Sequence, residues 1–267
     1  MMKGKLKALA VATALLGSAP AFAMATLTNA DGSFGNWGGF DWASNGTAVV
    51  EGFDATAAVD SFSLTYFAKA EALKDVLGNT IPAAGMFFNT YEYTIRLLLN
   101  ETSTCTNFNG PICDAADFAI TSGSFDIWYD TSPDSVQTTG AGITDGALLI
   151  SGVLGPQAGG AFDVIDGGNA ILQAAITFTN NAFITPDLAN STAATTLQIG
   201  GNVTGWAPTS GLPGAGGGTI GLPQDSFQLQ ADGNQDFTIA TVPEPSSLAL
   251  LGLAITGLGT LRRRKSA

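Results

Sequence analysis

The sequence contains no histidine, and this absence removes several catalytic chemistries at once. Imidazole is the general base of Ser-His-Asp and Cys-His nucleophiles, and it supplies the metal ligands of HExxH zinc sites. Charged residues form only 12% of the 267 residues, whereas 45% are hydrophobic and 34 are glycine. The charged share is about half of that in ordinary globular proteins. The composition is that of a chain that folds but lacks most hydrolytic machinery.

Basic residues are also scarce, with Lys+Arg 10 against Asp+Glu 22 and a formal net charge of −12. Proteins that bind nucleic acids meet the phosphates with lysine and arginine. The sequence therefore predicts no nucleic-acid partner.

Residues 1–23 have the three parts of a secretory signal peptide. Three lysines within the first seven residues precede an apolar run from Leu9 to Leu16, and the segment ends in Ala21-Phe22-Ala23. This is the order of a basic n-region, a short h-region and an A-x-A cleavage site, and the run is short for a membrane span. We expect export and a mature chain that begins at Met24, with an uncleaved N-terminal anchor as the alternative.

The other end of the chain, residues 243–267, reverses this pattern. Pro243, Glu244 and Pro245 precede an apolar stretch at 246–261, which as a helix reaches about 24 Å and spans a membrane only marginally. A basic cluster follows and should keep this end cytoplasmic; it consists of Arg262, Arg263, Arg264 and Lys265. A plain C-terminal anchor is the alternative interpretation.

The triplet, the short span, the basic end and the terminal position together resemble the PEP-CTERM sorting signal of Gram-negative bacteria. The resemblance implies that an exosortase, a membrane transpeptidase-like enzyme, recognises Pro243, Glu244 and Pro245. It also implies a protein that is anchored transiently in the inner membrane and then passed to the cell surface or to the extracellular matrix.

Between these ends, residues 24–242 show apolar residues at period two. The runs 90–99 and 124–130 alternate apolar and polar side chains, as half-buried strands do. Further strands are predicted at 61–68, 147–154, 170–179, 195–199 and 226–230. Many short strands with Gly, Asn and Asp turns predict an all-β domain, either an antiparallel β-sandwich or a jelly-roll-like fold. The segment 67–78 has helix-forming residues, so a crossing helix and a continued strand both stay open there.

Several of these strand motifs give the body a second resemblance. They are similar to the flocculation-associated group of PEP-CTERM proteins in the runs Phe62–Tyr66, Thr90–Thr94, Phe125–Asp130, Thr144–Gly152 and Phe227–Asp232. This resemblance implies a secreted matrix protein that helps cells to clump through their exopolysaccharide.

Cys105 and Cys113 are the only cysteines, and they lie in a stretch rich in Thr, Asn, Gly and Pro. In an exported protein such a pair predicts a disulfide across a loop. A metal or nucleophilic pair is disfavoured because histidine is absent and the spacing is not C-x-x-C.

No cofactor is expected, although calcium has one weak candidate site. Asp232, Asn234 and Asp236 place oxygen side chains at alternate positions, as an EF-hand loop begins, but the later glycine and glutamate are missing. We interpret this run as a turn between strands. Asp163, Asp166 and Asn169 raise the same question with less force.

Two other function classes stay open as alternatives. A carbohydrate-binding module would require Trp37, Trp42 or Trp128 to be exposed for stacking on sugars. A secreted glycoside-active enzyme would require paired carboxylates, but Asp126 and Asp130 on one strand stand about 13 Å apart, beyond the usual spacing. We therefore expect no enzymatic activity.

The charge of the exported part is more negative than the whole chain suggests. Residues 24–242 hold 21 acidic residues and only three basic ones, Lys69, Lys74 and Arg96, for a net charge of −18. Such a charge favours a protein that stays soluble and separated from its neighbours, or one that cations bridge to other acidic molecules. It disfavours direct contact with anionic polymers. The sequence thus predicts a non-enzymatic surface or matrix protein, with exosortase and exopolysaccharide or cell-surface glycans as partners.

Overall fold

The computed structural model describes residues 24–87, 89–163, 166–200, 207 and 226–239. Met24–Ala240 form one compact unit. The described part consists almost entirely of strands: β1 Ala25–Asn29, β2 Gly32–Trp42, β3 Gly46–Glu51, β4 Val59–Asp75, β5 Thr80–Ile81, β6 Glu92–Asn109, β7 Ile112–Asp130, β8 Ala147–Leu154, β9 Gln157–Asp163, β10 Gly167–Thr179, β11 Ile184–Thr185, β12 Thr192–Ile199 and β13 Ser226–Thr238. One helical turn, α1 (Ala84–Phe87), precedes β6.

The two predicted targeting segments, 1–23 and 243–267, lie outside the described residues. Among the residues that the structure describes, no helix has the length and apolar character needed to cross a membrane.

All 13 strands belong to one antiparallel sheet, and its pairings return to their starting point. β2 and β3 lie end to end between β13 and β4, and β8 and β9 lie end to end between β7 and β10. The sheet therefore has eight strand positions, in the order β2/β3, β4, β6, β7, β8/β9, β10, β12 and β13. The sheet closes where β13 pairs with β2 and β3. The predicted all-β, antiparallel class is confirmed. A division into two packed sheets, which a sandwich or jelly roll requires, is not.

The period-two pattern explains which side of each strand faces the interior. Tyr93, Ile95, Leu97 and Leu99 of β6 are at most 2% exposed, whereas Leu98 between them is 38% exposed. Their neighbours in β4 and β7 alternate in the same register, so apolar side chains from all three strands meet inside the closed sheet. Six of the seven predicted strands fall within observed strands, and the seventh, 90–99, begins two residues before β6. Most of the observed strands are longer than the patterns indicated.

The segment 67–78 is a strand up to Asp75, and this resolves the two interpretations left open by its sequence. β4 pairs with β6 over 59–69 and with β5 at 73–74, and it pairs with β3 over 63–67 and with β2 over 70–75. These backbone hydrogen bonds outweigh the helix preference of alanine, lysine and glutamate. Intrinsic helix propensities of ordinary residues differ by only about 0 to 0.7 kcal/mol per residue. The strand ends in a turn at Gly78, whose φ of 82° suits glycine.

Aromatic side chains fill one end of the interior. Trp37 packs against Phe40 and Phe237 with ring centroids 5.2 and 5.0 Å away, and Phe40 also contacts Trp42 and Tyr93. Tyr93 continues into a second group with Tyr91 and Tyr129. The turn after β1 covers this end, where Asn29 donates to the Tyr93 hydroxyl and the Tyr91 hydroxyl donates to Asp31.

The predicted disulfide is confirmed, although the cysteines do not lie in a loop. Cys105 belongs to β6 and Cys113 to β7, and their sulfur atoms are bonded with the Cα atoms 5.8 Å apart. The two strands extend as a hairpin beyond the point where β4 begins, and the disulfide links them near the tip. The backbone amides of Cys105 and Cys113 donate to the carbonyl oxygens of Ala58 and Ala55 in the loop before β4.

The closure of the sheet gives a test at Gly39. This residue pairs with Asp236 of β13 on one side and with Lys74 of β4 on the other, so both pairings of β2 that close the sheet include its backbone. A Cβ atom at Gly39 would lie 3.2 Å from the Cα atom of Asp236 and closer still to the carbonyl oxygen of Gln235. We expect Gly39→Ala to lower the free energy of unfolding by at least about 2 kcal/mol in urea titrations.

Gly35→Ala is the matched control, because it lies in the same strand and a Cβ there meets no atom within 4 Å. It should change the free energy of unfolding by less than about 0.5 kcal/mol. Equal stability of the two variants would contradict the closed arrangement.

Candidate functional site

The end of the interior opposite the aromatic groups contains a cavity of about 80 Å³. All eight strand positions contribute to its wall, so it lies along the axis of the closed sheet. The lining is almost wholly apolar, and its largest members are Phe53, Phe62, Phe118, Phe162 and Phe227. The mouths of closed sheets are common places for small ligands.

Glu101 is the one ionisable residue in this lining. It lies directly between Phe62 of β4 and Ile120 of β7 in the strand register, and it is only 7% exposed. Its burial raises the pKa of the carboxyl group from 4.5 to about 7, because an apolar environment disfavours the charged form. A carboxylate in such a place is costly unless it is protonated or paired.

No basic residue lies in the cavity lining to pair with this carboxylate. Residues 24–242 contain only Lys69, Lys74 and Arg96, and none of them lines the cavity. The Lys74 ammonium donates to Asn234 at 3.0 Å, and the Arg96 guanidinium lies 3.1 Å from Asp126. Within the described residues, no hydrogen bond or ion pair to the Glu101 carboxylate is found.

The candidate calcium residues Asp232, Asn234 and Asp236 lie on a continuous strand, so their interpretation as a turn was wrong. β13 pairs with β12 throughout this region, and the three side chains project from one side of the strand. The Lys74 ammonium lies 3.5 Å from Asp236 as well as contacting Asn234. Burial and the neighbouring Asp41 raise the pKa of Asp232. A lysine thus already supplies the positive charge in this group.

The second oxygen-rich group lies at the hairpin between β9 and β10. Asp163 accepts a hydrogen bond from the backbone of Asp166, which closes the turn. Asn169 lies farther along β10, where it borders the cavity. These three residues belong to a hairpin and its following strand.

A carboxylate cluster that the sequence analysis missed joins Glu92, Asp130 and Asp134, whose oxygen atoms lie within 4.8 Å of one another. Glu92 and Asp130 are cross-strand partners, a juxtaposition that needs the register of β6 and β7. Glu92 is buried and accepts three hydrogen bonds, two from backbone amides of Asp134 and Ser135 and one from the Ser135 hydroxyl. Its carboxylate therefore fixes the loop after β7 to the sheet.

The carbohydrate-binding alternative requires Trp37, Trp42 or Trp128 to be exposed, and none of them is. Trp37 and Trp42 are fully buried among other aromatic rings, because their strand positions face the interior. Trp128 faces outward but is only 8% exposed, and the Arg96 guanidinium lies 5.4 Å from its ring centre. None of the three can stack on a sugar ring in this structure.

Asp126 and Asp130 are engaged separately. Asp126 pairs with Arg96 and accepts a hydrogen bond of 2.6 Å from the Ser151 hydroxyl. Asp130 accepts one from the Ser132 amide and belongs to the Glu92 cluster. The structure gives these two carboxylates different partners.

Three neighbouring strands, β8, β10 and β12, contain no ionisable residue at all. Their outward side chains, here called the uncharged face, carry hydroxyl, amide and small apolar groups: Ser151, Val153, Ile171, Gln173, Ala175, Thr177, Thr192, Ala194, Thr196 and Gln198. Val153 and Ile171 are 48% and 66% exposed. The negative charges of the body therefore lie on other surfaces.

Glu101 was missed by the sequence analysis, although a signal for it exists. The period-two pattern of β6 places Tyr93, Ile95, Leu97 and Leu99 inside, and Glu101 is the next residue of the same parity. A glutamate at an interior position of a strand is rare unless it is paired. The cavity beside it depends on distant strands and has no local pattern.

The raised pKa of Glu101 makes stability depend on pH in a defined direction. Between about pH 4.5 and 7 the unfolded chain loses this proton while the folded chain keeps it, so stability falls as pH rises. Above the folded pKa, the accumulated loss is on the order of 3 kcal/mol. We expect Glu101→Gln to be more stable than the wild type at about pH 8 and to approach it at about pH 4.5.

Urea unfolding of both proteins across this range provides the measurement, with the difference between them as the readout. Glu51→Gln, at a carboxylate outside the cavity lining, is the matched control for removal of one negative charge. A difference between wild type and Glu101→Gln that stays constant with pH would contradict the assignment.

Comparison with known proteins identifies the C-terminal end of the chain. Residues 241–265 match the model of the PEP-CTERM protein-sorting motif, which confirms the sorting signal predicted there. No curated protein and no solved structure matches the chain. The matched residues lie outside the described part of the structure and include the Pro243-Glu244-Pro245 triplet. This motif is recognised by exosortase and implies export of the protein to the surface or the extracellular space.

Proposed function

We propose that the protein is a non-enzymatic matrix protein of a Gram-negative bacterium that contributes to flocculation or biofilm cohesion together with exopolysaccharide. The observation that carries this proposal is the sorting motif at residues 241–265. Removal of the signal peptide would leave a chain that begins at Met24, and exosortase would process its C-terminal motif at the membrane. The resemblance of the body to flocculation-associated proteins supports the role after release.

The uncharged face supports contact with a polysaccharide. It is a continuous surface of three strands, and residues such as Gln173, Thr177 and Thr196 offer amide and hydroxyl groups that can exchange hydrogen bonds with sugar hydroxyls. Exposed Ile171 and Val153 give it apolar contact area. A face without charge avoids repulsion from acidic sugars, whereas the rest of the acidic body would repel them.

The carboxylates of the body support a structural role over hydrolysis. Asp126 is paired with Arg96, and Glu92 is saturated by donors from its own loop. An acid catalyst needs a carboxyl group that can reach a bound substrate. We propose that the exposed acidic side chains instead keep the domain soluble and take part in bridging by divalent cations such as calcium, without a resident cofactor.

The sorting step is tested by replacing Pro243, Glu244 and Pro245 together with alanine. Because exosortase recognises this motif, the variant should stay in the membrane fraction as an unprocessed chain. The double variant Ser246→Ala, Ser247→Ala is the matched control and should mature normally. Mass spectrometry of the C-terminus after cell fractionation gives the readout. Identical processing of triple variant and wild type would refute recognition at the triplet.

The matrix role is tested by complementing a strain from which the gene is deleted. Wild-type protein should restore aggregation and should sediment with cell-free exopolysaccharide of that strain. Gln173→Glu with Thr196→Glu places two charges on the uncharged face and should reduce co-sedimentation at least about fivefold, through repulsion and desolvation of the added carboxylates.

Ser33→Glu with Thr121→Glu adds the same charge at exposed positions of β2 and β7, outside that face. This control should bind within about twofold of the wild type, since its charges lie away from the contact. Normal aggregation of the deletion strain would overturn the proposed role. Equal loss in both double variants would overturn the assignment to the uncharged face.

A further inference from the structure

We propose that the cavity inside the closed sheet is a binding site for a small apolar amine, with its alkyl or aryl part among the phenylalanine rings and its ammonium group against the Glu101 carboxylate. This inference is independent of the matrix role, because it concerns the interior of the sheet and not its outer face.

The first argument is the shape and lining of the site. Phe53, Phe62, Phe118 and Phe227 make edge-on ring contacts, with centroids 5.4 to 6.2 Å apart, and they border one side of the cavity. Leucine, isoleucine and alanine side chains complete the wall. An alkyl chain or a single ring is the kind of group that such a wall removes favourably from water.

The second argument is charge. Glu101 is more than nine-tenths buried and lines the cavity, and the three bases of the body lie elsewhere. A carboxylate surrounded by aromatic rings combines two features that attract cations, since the ring faces also carry negative potential. A carboxylate ligand, in contrast, would meet a like charge and no cation. The lining therefore selects an amine over a fatty acid.

The third argument is the protonation state of Glu101. Desolvation alone raises its pKa to about 7, so a cation that enters the site gains both a counter-ion and relief of that burial cost. Alkylammonium groups resemble lysine, which stays protonated up to about pH 10. No other ionisable side chain lines the cavity among the described residues. Glu51 lies outside the cavity lining, although it borders a separate, open surface pocket together with Glu101. Amine affinity should accordingly rise with pH until Glu101 is ionised.

Three probes of equal length test the proposal on the processed protein: hexylamine, hexanol and hexanoate. Titration calorimetry at about pH 8 and about 0.3 M salt suppresses weak attraction to the acidic surface. We expect saturable binding of hexylamine, weaker binding of hexanol and no binding of hexanoate. Affinity for hexylamine should fall about tenfold per pH unit below the pKa of Glu101.

Glu101→Gln keeps the size of the side chain but removes its charge. It should lose at least about tenfold in hexylamine affinity while hexanol binding stays within about twofold, which shows that the cavity persists. Glu51→Gln removes a charge at the same end of the sheet and should bind hexylamine as the wild type does. Absence of saturable hexylamine binding, equal binding of the three probes, or an unchanged affinity in Glu101→Gln would each overturn the proposal.

Discussion

The backbone pairing of β2 and β3 with both β4 and β13 is the constraint on which the rest of this structure depends. Without it the strands would form an open meander with two exposed edges, which are templates for aggregation. Gly39 allows the close approach, because its backbone meets the β13 chain where any Cβ would collide with a carbonyl group. Closure makes one face of every strand an interior.

Closure also separates charge from the interior. Among the described residues, most acidic side chains lie outside the core, and two of the three bases of the body pair with such side chains, Lys74 with Asp236 and Arg96 with Asp126. Glu101 is the exception, since its strand position carries it inside with no base in reach. The same scarcity of lysine and arginine that excludes nucleic acid thus leaves one buried carboxyl unpaired. On the outer side, the absence of ionisable residues from β8, β10 and β12 leaves a surface that an acidic matrix would not repel.

The sequence allows the strand class to be predicted, because period-two alternation is local and strong in segments such as Tyr91–Leu99. The disulfide follows from the pairing of only two cysteines in an exported chain. The closed arrangement does not follow, since the contact of β2 with β13 joins residues nearly 200 positions apart and leaves no local pattern. For the same reason the burial of Trp37 and Trp42 could not be judged from the sequence, because it follows from the place of β2 in the closed sheet.

The C-terminal sorting motif and the β-strand domain have separate roles. The sorting motif implies export of the protein. Under the proposed function its role would end with release of the body, so the properties that matter outside the cell would come from the closed sheet. The eight strand positions of the closed sheet are each paired on both sides, so under the proposed function contact with other material would pass through side chains on the outer faces. Among the described strands, β8, β10 and β12 form a broad outer face that is free of like charge. Any contact with an anionic polymer is consequently expected there, while the interior stays available for a small ligand without competing with it.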